Sequence, residues 1–332
     1  MARALRWSGI LLASLALLAG AAGLLGLRYY RAPGPLAEAR QFVVPRGGVE
    51  EIGQALSAAG IITHRRNFNL AAWATRRQGA LRAAEFSFPA GVSIEQVLEI
   101  LRHARPVQRR LTLAEGLTVQ QMAAVLDRAE GLTGPTPNLP EGSLLPETYA
   151  FQWGETRAAV AARAQAAMAQ LLAELWAGRA ANLPFITPAQ AVTLASIVER
   201  ETALAEERPR VAAVFVNRLR RGMKLQSDPT VVYAATSGAA LERPISRADL
   251  DRDHPYNTYR VAGLPPGPIA SPGREALRAV LNPPATEELY FVADGSGGHS
   301  FARTLEEHNR NVARWREVER ARNATAASPR SR

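Results

Sequence analysis

The sequence predicts an α+β fold: an N-terminal transmembrane helix, a small α+β module and a larger mixed α+β domain. Three observations lead there. Residues 7–27, WSGILLASLALLAGAAGLLGL, carry no charge and match the roughly 20 apolar residues that cross a bilayer as a helix. Over 42–130, short strand-like and helix-like runs alternate. A Pro/Gly-rich stretch at 131–151, GLTGPTPNLPEGSLLPETYAF, then marks the change to longer helices.

At 332 residues the chain is long enough for two domains with their own cores. Forty basic and 30 acidic residues give a formal net charge of +10, with Lys224 the one lysine. That charge suits an anionic partner. The arginines are dispersed, however, and there is no nucleic-acid-binding signature, so nucleic acid is not expected. With no cysteine, stability rests on packing rather than disulfides. His64, His103, His254, His299 and His308 show no metal-ligand spacing, so no metal or other cofactor is expected. GSGGH (295–299) joins strand-like runs without a helix start for phosphates. It reads as a hairpin turn, from which His299 could approach the site, although a histidine satisfied within the turn is the favoured reading. Ser196 has neither a GxSxG elbow nor an SxxK lysine, which argues against a serine hydrolase.

The elements follow in order. Arg3 and Arg6 precede the apolar run and Arg28 and Arg31 follow it, so charge alone does not orient it. The run exceeds the ~7–15-residue core of a signal peptide, which favours an uncleaved anchor. Gly20, Ala21 and Ala22 keep cleavage open as the alternative. A short tail at 1–6 before a large body favours a cytoplasmic tail and an exported body. Residues 28–41 read as a linker, Phe42–Pro45 as a strand, 49–62 as an amphipathic helix stopped by Gly60, and 67–77 as a second helix. A strand at 84–91 precedes a helix at 93–103 that Ser93 and Gln96 open as a capping box. A strand then leads from 107 through Glu115-Gly116 to a helix boxed by Thr118 and Gln121.

Past the boundary stretch, a long helix is expected from Thr156 to Gly178. The next, TPAQAVTLASIVERETAL (187–204), has Thr187 as N-cap, Pro188 at the first helical position and Gln190 completing the box. A helix at 206–222, LQSDPTVVYAA (225–235) and a long irregular loop carrying 254–273 follow. Strand runs at 289–295 and 299–302 pair as a hairpin, Thr304 and Glu307 box the last helix, and 323–332 reads as a disordered tail.

Within ASIVERET (195–202), Glu199 and Glu201 flank Arg200. At about 100° per residue they point roughly 200° apart, so one helix face cannot hold both. Glu201 shares its face with Leu194, Ile197, Val198 and Leu204, while Glu199 sides with Val192, Ala195 and Ser196. Glu201 is therefore the one pushed toward apolar surroundings, where desolvation raises a carboxyl pKa and makes a proton donor. The pattern also fits two solvated last-turn charges paired with arginines such as Arg200, Arg208 or Arg210.

LASIVERETA, VFVNRL (214–219), LQSDPTVVY (225–233), YNTYRVAGLPPGPIASPG (256–273) and YFVADGSGGHSF (290–301) together resemble the endolytic murein transglycosylases, the YceG-like family. EGSLLPETY (141–149) resembles the motif that leads into that family's catalytic domain, with Glu147 where an aspartate is more usual. The resemblance implies a single-pass inner-membrane protein, with a LysM-like module (42–130) before a periplasmic catalytic domain (131–322). It places the catalytic glutamate on Glu201, in agreement with the helical-face reading, and leaves Glu199 as a second carboxylate candidate. Gln226, Ser227, Asp228 and Thr230 are expected to hydrogen-bond around the site. Tyr256, Asn257, Thr258 and Tyr259 are expected to orient sugar rings. Each of these residues also reads as a loop-stabilising side chain.

The implied substrate is the glycan strand of peptidoglycan, cut within the chain to leave 1,6-anhydro-MurNAc ends. The implied partners are the inner membrane and peptidoglycan synthases. A membrane-anchored wall-binding scaffold with a dead site is the rival reading.

Overall fold

The computed structural model describes residues 2–327, which form two compact units. The first takes the chain up to Arg109 together with Ala150–Glu155, and the second takes Arg110–Tyr149 and the chain from Thr156 onward.

The first unit begins with helix α1 (Ala2–Arg31), in which Ala13–Arg31 is long and apolar enough to cross a membrane. Strands β1 (Arg40–Val43) and β2 (Glu85–Phe88) pair antiparallel, with Arg40 opposite Phe88 and Val43 opposite Glu85. Three ten-residue helices complete the module: α2 (Val49–Ala58), α3 (Arg65–Ala74) and α4 (Ile94–His103). Helices this short are marginal alone and need an apolar face to pack. That face is supplied by Leu56, Phe68, Phe86, Phe88, Leu98 and Leu101, all fully buried in one cluster. The expected Ser93–Gln96 box is formed in both directions, at 2.9 and 3.3 Å.

Strands β3 (Arg109–Thr112) and β4 (Thr148–Phe151) form a second two-stranded ribbon where the chain passes between the units. Strand β4 was not expected. Its four residues alternate exposed and buried, but they lie inside a Pro/Gly-rich stretch that hides so short a period.

Helices α5 (Val119–Arg128), α6 (Arg157–Ala177), α7 (Pro188–Glu201), α8 (Arg208–Arg220) and α9 (Asp228–Thr236) follow. Then come α10 (Arg247–Asp251), α11 (Arg274–Leu281), the antiparallel hairpin β5 (Tyr290–Ala293) and β6 (His299–Ala302), and α12 (Leu305–Ala327). The last five residues of the expected tail, 328–332, lie outside the described residues. Helix α11 was also unforeseen. Its cap, Gly273, offers no side-chain oxygen, so the usual start signal is missing. Yet Ala276, Leu277, Val280 and Leu281 are buried, and α11 packs on both α7 and α8.

Helix α7 is the axis of this unit. All eight residues from Ala191 to Val198 are buried, as a helix enclosed on every side requires. Thr187 and Gln190 form the expected box. The helix carries its last residue, Glu201, out of that core.

Candidate active site

Glu201 ends α7, and Ser227 caps α9; the Ser227 hydroxyl donates to Glu201 Oε1 at 2.5 Å. Ser227 is itself fixed at both its backbone N–H and its carbonyl by a pair of threonines. Its N–H donates to Thr258 Oγ1 at 2.9 Å, its carbonyl accepts from Thr230 Oγ1 at 2.6 Å, and the two threonine hydroxyls lie 2.8 Å apart. Ser227, Thr230 and Thr258 are all essentially inaccessible. Gln226, just before the serine, holds a left-handed backbone at φ 50°, a region non-glycine residues visit rarely. Its N–H donates to the Thr258 carbonyl at 3.2 Å. The tight turn and the threonine pair thus aim one hydroxyl at one carboxylate.

Glu201 keeps partial solvent access, while burial pushes its carboxyl up to about 7. The Ser227 hydrogen bond, His299 and Arg218 oppose that rise, and the negative charge of Asp228 adds to it. A carboxyl poised there exists in both protonation states at neutral pH, so it can give a proton and take one back.

Of these influences, His299 was foreseen only as a residue that could approach the site, and Arg218 was not picked out from the sequence. Arg218, on α8, is buried and donates to the carbonyls of Leu225 and Leu289, each at 2.6 Å. The motif VFVNRL contains it, but only the fold shows that its guanidinium runs back toward α9. His299, expected as a satisfied turn residue, is held by Glu207: its Nδ1 lies 2.7 Å from one carboxylate oxygen, and its N–H donates to the other at 2.7 Å. It is satisfied as expected, and it also exerts its field on Glu201.

Glu199 does not stay in water. Its side chain is 4% exposed, pairs with Arg208 at 3.4 Å and accepts the Gly273 N–H at 2.8 Å. Burial raises its carboxyl, against the pull of Gly273 and Arg208. The stripe that looked small and polar on α7 is covered by Arg208 from α8 and by the loop end that starts α11. Arg200 leaves from between the two glutamates and donates to the Gly116 carbonyl at 3.0 Å. Both glutamates thus turn inward, Glu199 to a full set of partners and Glu201 to a single hydroxyl.

The remaining predicted residues divide. Asp228 Oδ1 accepts from the Tyr259 hydroxyl at 2.6 Å, which brings both into the cluster around Glu201. Burial, reinforced by Asp228, raises the Tyr259 phenol. Asn257 is fully buried and spends its side chain on the loop. Its Nδ2 donates to the carbonyls of Asp249, Leu250 and Arg252, and its Oδ1 accepts from the Tyr259 N–H. It shapes the turn and places Tyr259. Tyr256 sits elsewhere, its ring 4.8 Å from Tyr233, whose hydroxyl reaches Glu141 at 3.5 Å.

An endolytic murein transglycosylase of Streptococcus pneumoniae is 32% identical over 321 residues, an alignment covering 81% of this chain and 57% of that protein. One from Bacillus subtilis is 38% identical over 170 residues, 51% of this chain and 46% of that protein. The chain therefore spans about half the length of the curated relatives it matches. A crystal structure of a YceG-like protein from Listeria monocytogenes superposes with a TM-score of 0.52 at 25% identity, over 82% of this chain and 98% of that one. Residues 42–314 match the YceG-like family, and the chain belongs to that family.

Proposed function

We propose that this protein is an endolytic murein transglycosylase that cleaves MurNAc–GlcNAc bonds within peptidoglycan strands and so limits their length. One observation carries the reading: a solvent-reachable glutamate, Glu201, is raised to about 7 and held by a single hydroxyl donor. Relatives that carry the transglycosylase name support it.

One carboxyl suffices for this reaction. Glycoside hydrolases generally need two, because one manages a water or acts as nucleophile. Here Glu201 protonates the bridging oxygen as the glycosidic bond breaks. The carboxylate left behind takes the proton from the 6-hydroxyl of the same MurNAc, whose oxygen closes on C1 to give the 1,6-anhydro end. The nucleophile is intramolecular and needs only positioning. Ser227 orients Glu201 and stabilises its ionised form, and the threonine pair and Asn257 hold the surrounding turns. Tyr259 and the exposed Gln226 and Asp228 offer polar groups to the sugar. Glu199 is structural in this reading, since both its oxygens are already engaged. The dead-site scaffold gains nothing from a site whose acid is in place.

Helix α1 would anchor the protein in the inner membrane, with its first residues cytoplasmic and the chain after it in the periplasm beside the synthases that make the strands. The folded part of the first unit would form the LysM-like module and the second unit the catalytic domain, which then takes in residues 110–130 that the sequence reading gave to the module. The test is mass spectrometry of peptidoglycan digested by the wild type and by the Glu201→Gln and Glu199→Gln variants. Anhydro ends, one water lighter than hydrolytic ends and lost with Glu201→Gln alone, are expected. Hydrolytic ends would make the protein a muramidase, and loss with Glu199→Gln alone would shift the acid to the other face.

A further inference from the structure

Helix α3 buries Phe68 and Ala72 in the core of its module. The opposite stripe, Arg66, Leu70 and Trp73, follows at spacings of four and three residues and so shares one helical face. Leu70 is 66% and Trp73 62% exposed. Between Glu51 and Glu85 the chain holds five arginines, Arg65, Arg66, Arg76, Arg77 and Arg82, and no acidic residue. The Arg76 guanidinium lies over the Trp73 ring, 4.7 Å from its centroid. Arg65 pairs with Glu50 at 3.9 Å, and an apolar pair flanked by the arginines Arg66, Arg76 and Arg77 is the composition of a helix face that lies on a lipid surface.

The location of α3 says what covers that face. A cavity of about 400 Å³ is walled by Gly23, Gly26 and Leu27 of α1 and by Leu70, Ala71 and Ala74 of α3. Those α1 residues fall inside the apolar stretch Ala13–Arg31. Leu27 is one helical turn before Arg31, or about 6 Å along the axis. If α1 crosses a bilayer, α3 is therefore carried to the level where the hydrocarbon gives way to headgroups. Tyr29 and Tyr30, also lining the cavity, sit at that level too, where aromatic belts form.

We propose that α3 is a second, interfacial membrane contact of this protein: Leu70 and Trp73 enter the outer boundary of the bilayer, and Arg66, Arg76 and Arg77 engage anionic lipid headgroups. The contact rests on α1 being the membrane span and is independent of the chemistry at Glu201. Its consequence is that the first unit is held flat against the lipid rather than swinging on the linker.

The chain has no cysteine, so a single spin label can be placed cleanly. The full-length protein would carry the label at Trp73→Cys, or at Leu17→Cys within α1, in vesicles with and without phosphatidylglycerol. Collisions with oxygen, which concentrates in lipid, and with a water-soluble nickel complex then report depth. The Leu17 label is expected to be deep, and the Trp73 label at the interface, losing most of its nickel collisions and sinking further when phosphatidylglycerol is present. A deep Leu17 label beside a Trp73 label fully open to nickel overturns the proposal. A Leu17 label open to nickel overturns the span and the proposal with it. Equal Trp73 depth in both lipids overturns the headgroup contact.

Discussion

Ser227 Oγ and Glu201 Oε1, 2.5 Å apart, join the cap of α9 to the last residue of α7. The hydroxyl donates to the carboxylate, which favours the ionised form and works against the burial that raises it. Replacing Ser227 with Ala removes that donor, so the carboxyl of Glu201 should titrate higher still. A hydrogen bond to a charged group contributes about 1.5–3 kcal/mol, so the alkaline limb of kcat should move up by about one pH unit or more. Activity below the limb should fall as well, because the carboxyl loses its orientation. A pH–rate profile of Ser227→Ala with an unmoved limb would show that the contact does not tune the acid.

The same raised carboxyl makes folding stability depend on pH. In the folded protein Glu201 keeps its proton up to about 7, whereas in the unfolded chain it loses it near the ordinary value of 4.5. The folded state is therefore not penalised below the unfolded value, and this advantage is lost as pH rises through about 7. Glu201→Gln does not titrate. Between pH 4 and pH 8 the wild type should lose on the order of 3 kcal/mol relative to the variant. Melting curves of both proteins at the two pH values test this, and parallel behaviour would mean that the carboxyl is not desolvated.

The parts of this site legible in the sequence are those that local rules govern. Thr187, Pro188 and Gln190 announce the start of α7, and counting 100° per residue separates Glu201 from Glu199. What brings Ser227 to Glu201 is not local. It depends on Thr258, 31 residues away, and on a left-handed turn at Gln226 that no composition signals. Helix α11 was unreadable for a related reason. It has eight residues, no side-chain cap and a proline- and glycine-rich loop before it, and its burial against α7 and α8 makes it a helix. The enclosure of Glu199 likewise comes from Arg208 and Gly273, which its own helix gives no reason to expect.

Arg218 joins stability to tuning. Its buried guanidinium satisfies the carbonyls of Leu225 and Leu289 from two different nitrogens, and its charge lowers the Glu201 carboxyl. Lysine keeps the charge but presents a single ammonium on a narrower reach. Arg218→Lys should therefore leave one buried carbonyl unpaired, at a cost of about 1–3 kcal/mol. Arg218→Met should cost more and raise the Glu201 carboxyl as well. Denaturation with urea gives the first quantity and the pH–rate profile the second. Equal alkaline limbs in the Lys and Met variants would remove Arg218 from the electrostatics of the site.

Glu199 supplies the contrast that makes the assignment of Glu201 decisive. Its carboxylate meets Arg208 Nη2 at 3.4 Å; that arginine side chain is only 9% exposed, its Nε has no hydrogen-bond partner, and its other carboxylate neighbour, Glu115, lies at 4.0 Å. Removing one member of such a pair strands the other, and broken buried pairs cost about 3–5 kcal/mol. Glu199→Gln keeps an oxygen that can still accept from Gly273, and Glu115 stays within 4.0 Å of Arg208, which brings the expected loss below that range, to about 2–3 kcal/mol. The variant should melt at a clearly lower temperature and yet, where it remains folded, yield the same anhydro ends at a rate within about tenfold of wild type. Glu201→Gln should do the reverse, staying folded at pH 8 and producing no ends at all. A Glu199→Gln protein that keeps its melting temperature and loses its product would mean that the structural and catalytic glutamates have been exchanged.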